Sequence, residues 1–181
     1  MREANLTSEN TFADVTEDAW YNVAVSTLAG MGIIKGYSAD SFQPNQIITR
    51  AELAAMCARF DQTELNSVSS FTDIKGHWAE KEIEKAAALG WVRGYEDGSF
   101  HQDQTVTRAE AVSVFNRVLG REPAGPEDLL EGMITFRDNA DPSKWYFVAI
   151  QEATNSHTYY TDKFGEHWVE LIENPDWQQY Q

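Results

Sequence analysis

Thr49-Arg50-Ala51-Glu52 recurs as Thr107-Arg108-Ala109-Glu110, and this internal repetition constrains the fold more than any other feature of the chain. Gly36-Tyr37 recurs as Gly94-Tyr95 and Phe42 as Phe100, each step being 58 residues (107 − 49, 94 − 36, 100 − 42). A fixed period of this size marks a repeated supersecondary unit. One copy starts at Phe12-Ala13-Asp14-Val15 with Trp20 following, and the next at Phe71-Thr72-Asp73-Ile74 with Trp78 following. A third start, Phe136-Arg137-Asp138 with Trp145, leads into a divergent segment without Thr-Arg-Ala-Glu. The chain therefore divides into a lead-in (1–11), a first unit (12–60), a polar linker (61–70), a second unit (71–119), a second linker (120–135) and a degenerate third unit (136–181). A partial end unit suits a repeat array, because the last copy has no neighbour to cover.

Each complete unit reads as helix, loop, helix. Val23, Ala24, Leu28 and Met31 follow helical spacing over about Trp20–Met31, and Ile83, Ala86, Ala87 and Leu89 do so over about Trp78–Leu89. Gly32 and Gly90 stand where a helix stop is expected. Second helices are predicted over about Arg50–Phe60 and Arg108–Leu119, with apolar faces that include Leu53, Cys57 and Phe60 in one and Val114, Phe115 and Leu119 in the other. In the third unit a helix is predicted over about Trp145–Asn155, and Trp168–Ile172 falls where a second helix would lie. These patterns predict an all-α array with little sheet. Trp145, Trp168, Leu171, Ile172 and Trp177 are expected to bury against the first two units, making the third a closing unit.

The chain of 181 residues is 42% hydrophobic, with six Trp, seven Tyr and nine Phe, enough for a core. Its single cysteine, Cys57, excludes an intrachain disulfide and reads as a small core residue. A net charge of −15, from 14 basic and 29 acidic residues, argues against nucleic acid and against an anionic membrane surface. An anionic ligand would have to be held by a few placed cations working against that field. No apolar run approaches the roughly 20 residues of a membrane span, so no membrane insertion is expected. Met1-Arg2-Glu3-Ala4-Asn5 lacks the apolar core of a signal peptide, so a secreted role implies a segment of something longer.

Thr followed three residues later by Glu, before an apolar run, is a capping box; Thr49 and Thr107 would be the caps. The box does not account for Arg50 and Arg108, which sit at the first helical position against the positive end of the macrodipole. Either each Arg pairs with a nearby acid, or it joins the free helix-start amides in holding an anion. Lys35 and Arg93 repeat just before Gly-Tyr, as loop cations or as ligand contacts. Arg59 and Arg117 lie half a turn away from the first Arg and read as structural. Asp97-Gly98 is a turn signal that the first copy lacks, having Asp40-Ser41 there. Trp20, Trp78 and Trp145 open the first helices; the core is their default place, although an aromatic face can also stack on a sugar ring.

These motifs resemble the S-layer homology family: aromatic-x-Asp-Val, Trp, Gly-Ile-Ile-x-Gly-Tyr, a loop aromatic, then Ile-Thr-Arg-Ala-Glu. The resemblance runs from Phe12 to Glu52, from Phe71 to Glu110, and in the third unit from Phe136 to about Ala153. It implies three units in a pseudo-threefold arrangement around a central helical bundle, with grooves between lobes. It implies non-covalent anchoring of a larger surface protein to an anionic cell wall polysaccharide, often pyruvylated, at the extracellular face of a bacterium. The Arg of Thr-Arg-Ala-Glu is the family's anion contact, which maps onto Arg50 and Arg108. Lys35, Arg93, Gly36, Gly94, Tyr37, Tyr95, Asp97, Gly98, Trp20 and Trp78 complete the expected ligand-binding set. The third unit, without the Arg and the loop glycines, is expected to form no polymer site.

No enzyme constellation is visible. His77, His101, His157 and His167 lack metal-ligand spacing, Gly30–Gly36 is not a dinucleotide fingerprint, and acidic pairs arise by chance among 29 acids. Neither a cofactor nor a metal is expected. The competing reading is a structural or protein-binding module without glycan binding.

Overall fold

A computed structural model of the chain describes residues 9–61, 63 and 71–176. The first helices of the two units are α1 (Asn22–Gly30) and α3 (Glu80–Ala88). Each begins two residues after its Trp, because the chain first makes a tight turn (Asn22 N–H to Ala19 O, 2.8 Å; Glu80 N–H to His77 O, 3.1 Å). Each ends in the same way. Gly32 and Gly90 adopt φ of +73° and +76°, and the next amide reaches back to the helix (Ile33 N–H to Leu28 O and Trp91 N–H to Ala86 O, both 2.9 Å). This pairing satisfies orphan carbonyls of the last turn and needs a residue without a Cβ.

The second helices are α2 (Arg50–Phe60) and α4 (Arg108–Leu119). Both start with the full capping box. Thr49 N–H donates to the Glu52 carboxylate at 2.6 Å and Thr107 N–H to the Glu110 carboxylate at 2.8 Å, while the Glu amides donate to the Thr hydroxyls. α2 is the centre of the packing. Ala51, Leu53, Ala54, Ala55, Cys57 and Ala58 are all buried, and all but Leu53 have small side chains, which let neighbouring backbones come close. α3 packs along α2, and α4 touches it. Ile74, Ile83, Val92, Phe100 and Val114 complete this core, while Phe12, Val15, Val25, Ile33 and Ile34 form a smaller one in the first unit. Burial pushes the Cys57 thiol up to about 11, which fits a core residue.

The third unit departs from the all-α expectation. Its first helix is present as α5 (Phe147–Thr154), packed on α4. The segment after it is an antiparallel hairpin, β1 (His157–Asp162) and β2 (Gly165–Leu171), with Tyr159 opposite Trp168 and Tyr160 opposite His167. The reason is in the residues. His157-Thr158-Tyr159-Tyr160-Thr161 is β-branched and aromatic without a helix former, and the ladder turns around Lys163-Phe164 into Gly165 at φ +138°. Trp168–Leu171 is therefore strand. Among the described residues no third Thr-Arg-Ala-Glu helix joins α2 and α4, so they do not form the expected pseudo-threefold arrangement around a central bundle of such helices.

The expected buried set is also revised. Trp168 is 6% exposed, but Trp145 is 64% and Ile172 50% exposed, and Leu171 is half-buried. Trp177 lies outside the described residues. Trp20 and Trp78 are 68% and 60% exposed, so the core is not their place. No helix among the described residues is long and apolar enough to cross a membrane.

Candidate ligand-binding site

The repeated loops are held by the aspartate of each start motif. Asp14 accepts from the amides of Phe42 (2.8 Å) and Gln43 (2.7 Å), and Asp73 accepts from those of Phe100 and His101 (both 2.8 Å). Gln43 and His101 take a positive φ, of 60° and 56°, which turns both amides toward the carboxylate. The amides of Phe42 and Gln43 hold the Asp14 carboxyl below its ordinary value. At Asp73 burial works the other way, and the amides of Phe100 and His101 still hold it low. A depressed carboxyl contributes stability that is present above the unfolded value of about 3.8 and is lost as pH falls. The unfolding midpoint should therefore drop below about pH 3.8 more steeply in the wild type than in an Asp73→Asn variant. Parallel pH profiles would refute the clamp.

Gly36 and Gly94 are needed for space. A Cβ on Gly94 would meet the Phe71 ring and lie 2.6 Å from Ser99 O, and one on Gly36 would lie 2.5 Å from both Phe12 Cε1 and Ser41 O. In the second unit Gly98, at φ +80°, closes a turn from Tyr95 (3.0 Å), and Asp97 accepts from Ser99 N–H (2.9 Å).

Arg50 crosses from the first unit into the loop of the second. Its Nε donates to Phe100 O and its Nη2 to Arg93 O, both at 2.8 Å, and Nη1 lies 3.4 Å from the Glu110 carboxylate. The guanidinium lies over the rings of Tyr95 and Phe100, at 5.0 and 4.6 Å. The backbone follows: Arg50 N–H donates to Gln104 O (2.9 Å), Ala51 N–H to Gln102 O (3.0 Å) and Val106 N–H to Ile48 O (3.1 Å). The first amides of α2 are thus taken by the neighbouring loop, and Arg50 is both paired with an acid and embedded in backbone carbonyls. Arg108 is exposed, and among the described residues neither its side chain nor its amide has a hydrogen-bonding or ionic partner.

Above Arg50 opens a cavity of about 290 Å³ whose lining includes Arg50, Arg93, Tyr95, Glu110, Arg117 and Trp145. Gly94 also lines it. The structure so brings together Arg50, Arg93, Gly94 and Tyr95 of the expected set. Asp97 and Gly98 shape the loop behind them. Lys35, Gly36 and Tyr37 belong to the equivalent loop of the first unit, and Trp20, Trp78 and Arg108 stand outside this lining. The Nη1 atoms of Arg59 and Arg117 donate to Ile33 O (3.2 Å) and Trp91 O (3.3 Å), two carbonyls 58 positions apart, and Arg117 also lines the cavity. Among the wall residues outside the expected set, with Glu110 and Arg117, is Trp145. Its place beside Trp20 and Trp78 in the repeat was legible, but a core role was the wrong inference from it.

The S-layer homology domain model matches residues 11–54 and 70–112, the two units that carry these loops. The chain belongs to the S-layer homology family. It is 31% identical over 179 residues to cell surface glycoprotein 1 of Acetivibrio thermocellus, covering 92% of this chain and 8% of that protein. It is 31% identical to the cellulosome-anchoring protein of the same organism (90% of this chain, 36% of that protein) and 32% identical to the surface-layer 125 kDa protein of Lysinibacillus sphaericus (64% and 10%). The chain therefore spans little more than a third, at most, of the length of these relatives.

In this S-layer homology chain the third unit is closed by a buried charge cluster. Arg121 donates through Nε to Glu166 (2.9 Å) and through Nη2 to Glu152 (2.7 Å), with side chains of both acids at most 2% exposed. His157 donates through Nδ1 to Asn155 O (2.7 Å), stacks on Trp168 (3.9 Å between centroids) and sets Nε2 2.8 Å from Glu166; the Trp168 indole donates to Glu152 at 2.8 Å. Glu152, His157 and Glu166 converge closely enough to be metal ligands, but the Arg121 guanidinium occupies the cation position among them, so the cluster reads as a self-neutralised joint. Burial pushes the Glu152 carboxyl above its ordinary value, against the indole, His157 and Arg121.

Proposed function

We propose that the chain is a non-catalytic module that holds a larger secreted protein at the bacterial cell surface by binding an anionic cell wall polysaccharide in the cavity above Arg50. The protein is a cell-surface protein, like its relatives in the S-layer homology family. The observation that carries the ligand reading is the composition of that cavity. The exposed Trp145 face and the Tyr95 ring, which carries Arg50 and stacks on His101, stand beside the cations Arg50 and Arg93. A chain of net charge −15 repels a polyanion in general, so placed cations have to hold it. An aromatic face takes a sugar ring, and a guanidinium fork takes a carboxylate such as that of a pyruvyl group. Arg50 has five N–H donors, and the loop engages only part of them.

The test is cosedimentation with purified sacculi before and after acid extraction of the acidic polymer. Binding should be lost on extraction, and Trp145→Ala should weaken binding to intact sacculi about tenfold, or 1.4 kcal/mol, while leaving the far-UV spectrum unchanged. Equal binding to extracted sacculi would exclude the acidic polymer and point to the remaining peptidoglycan, and no binding to either would favour a protein-binding role.

A further inference from the structure

The two complete units present unused halves of the contact that joins them. In the formed contact Arg50 enters the loop of the second unit and uses Arg93 O and Phe100 O, while the amides of Arg50 and Ala51 use Gln104 O and Gln102 O. The equivalent incoming residues one period on are Arg108 and Ala109. The equivalent receiving carbonyls one period back are those of Lys35, Phe42, Gln46 and Pro44. Among the described residues none of these amides or carbonyls has a hydrogen-bond partner, and neither has the Arg108 guanidinium. Among the described residues the reciprocal pair is free as well: Ile48 N–H and Val106 O, which would repeat the bond that Val106 N–H makes to Ile48 O.

The empty loop differs from the filled one in a telling way. In the filled loop the Glu110 carboxylate faces Arg50 at 3.4 Å, and the Tyr95 hydroxyl turns to Gln104. In the empty loop the Glu52 carboxylate instead accepts from the Tyr37 hydroxyl at 2.8 Å. A carboxylate, an aromatic ring and a row of carbonyls are in place, and among the described residues no cation meets that carboxylate.

We propose that a second copy of this chain docks here, with Arg108 of one copy entering the first-unit loop of the other as Arg50 enters the second-unit loop within the chain. The contact is heterologous, since the two surfaces are different. It closes into a ring if the rotation permits and otherwise propagates as a chain. A third unit of the same kind would have used up both halves, and its hairpin supplies neither the loop nor the Arg. The proposal does not rest on glycan binding, because Arg108 and the first-unit loop lie outside the cavity assigned to the polymer.

The test is sedimentation velocity over a concentration series at about 0.15 M salt, where a Debye length of about 8 Å limits the general repulsion between two acidic copies. The wild type should associate. Arg108→Ala should weaken association at least tenfold, and Arg108→Lys, which keeps the charge and loses the fork, by less. Ile47 is 65% exposed at the place where Thr105 pairs with Thr49 in the formed contact, so Ile47→Arg should block the receiving loop. Arg108→Ala keeps a receiving loop and Ile47→Arg keeps an incoming Arg, so each alone should be monomeric and a mixture should give a 1:1 pair that grows no further. Far-UV spectra and melting curves check that both variants fold. A monomeric wild type would overturn the proposal and leave the loop to another occupant, such as a preceding unit. Association that survives Arg108→Ala, or a mixture that stays monomeric, would overturn it too.

Discussion

Arg121→Ala is expected to destabilise the domain by about 3–5 kcal/mol, the usual consequence of removing one partner from a buried ion cluster. Glu152 and Glu166 would be left facing each other with side chains at most 2% exposed, with His157 and the Trp168 indole left to offset them. Against a total stability of about 5–15 kcal/mol the loss should detach the hairpin from α4 and α5. It is read as a lower urea midpoint by the fluorescence of Trp168, which is buried and stacked on His157. The pH dependence has a definite sign. The Glu152 carboxyl is raised above 4.5 in the folded protein, so its contribution is fully present below that value and is lost as pH rises through the folded pKa. With Arg121 removed the folded value rises further, and the deficit of the variant should shrink as pH falls toward 4.5. Adding Glu166→Gln to Arg121→Ala should recover part of the loss. An unchanged midpoint for Arg121→Ala would show that the cluster does not hold the third unit.

Gly94→Ala is expected to lose stability and polymer binding together. The backbone at Gly94 is not left-handed, so conformational strain is not the cause; the added methyl has no room between the Phe71 ring and Ser99 O. Overpacking of this kind costs about 1–3 kcal/mol. The displaced loop contains both carbonyls that grip Arg50, those of Arg93 and Phe100. The cavity above Arg50 should therefore lose its shape even where the rest of the domain stays folded. Phe71→Leu in the same chain should restore only part of the stability, because Ser99 O still opposes the methyl. Gly98→Ala supplies the contrast: its nearest obstacle is 3.9 Å away but its φ is +80°, so the cost there is backbone strain of about 1–2 kcal/mol. Melting curves and sacculus binding measure both effects. Wild-type binding by Gly94→Ala would separate the loop from the proposed polymer site.

The sequence by itself determined whatever a short stretch of chain decides locally. Thr49 with Glu52 and Thr107 with Glu110 announced two capping boxes, because cap and partner are three residues apart. Gly32 and Gly90 announced two helix ends, because a left-handed residue is required there. The period of 58 announced that both units share one plan. The tertiary structure decided where the repeated arginines go. Arg50 is embedded in carbonyls 43 and 50 residues away, while Arg108, in the same local sequence, finds no partner among the described residues. It decided that Trp145 lines a cavity, since a Trp at a helix entrance packs or stays bare according to what the next unit places over it. It also made Trp168–Leu171 a strand: four residues cannot choose between strand and helix, and the choice came from pairing with β1 and from Arg121, which lies 45 residues before its partner Glu166. Hydrogen bonds that close within one turn are written in the order of the residues, and those between units depend on which surfaces the folded chain brings face to face.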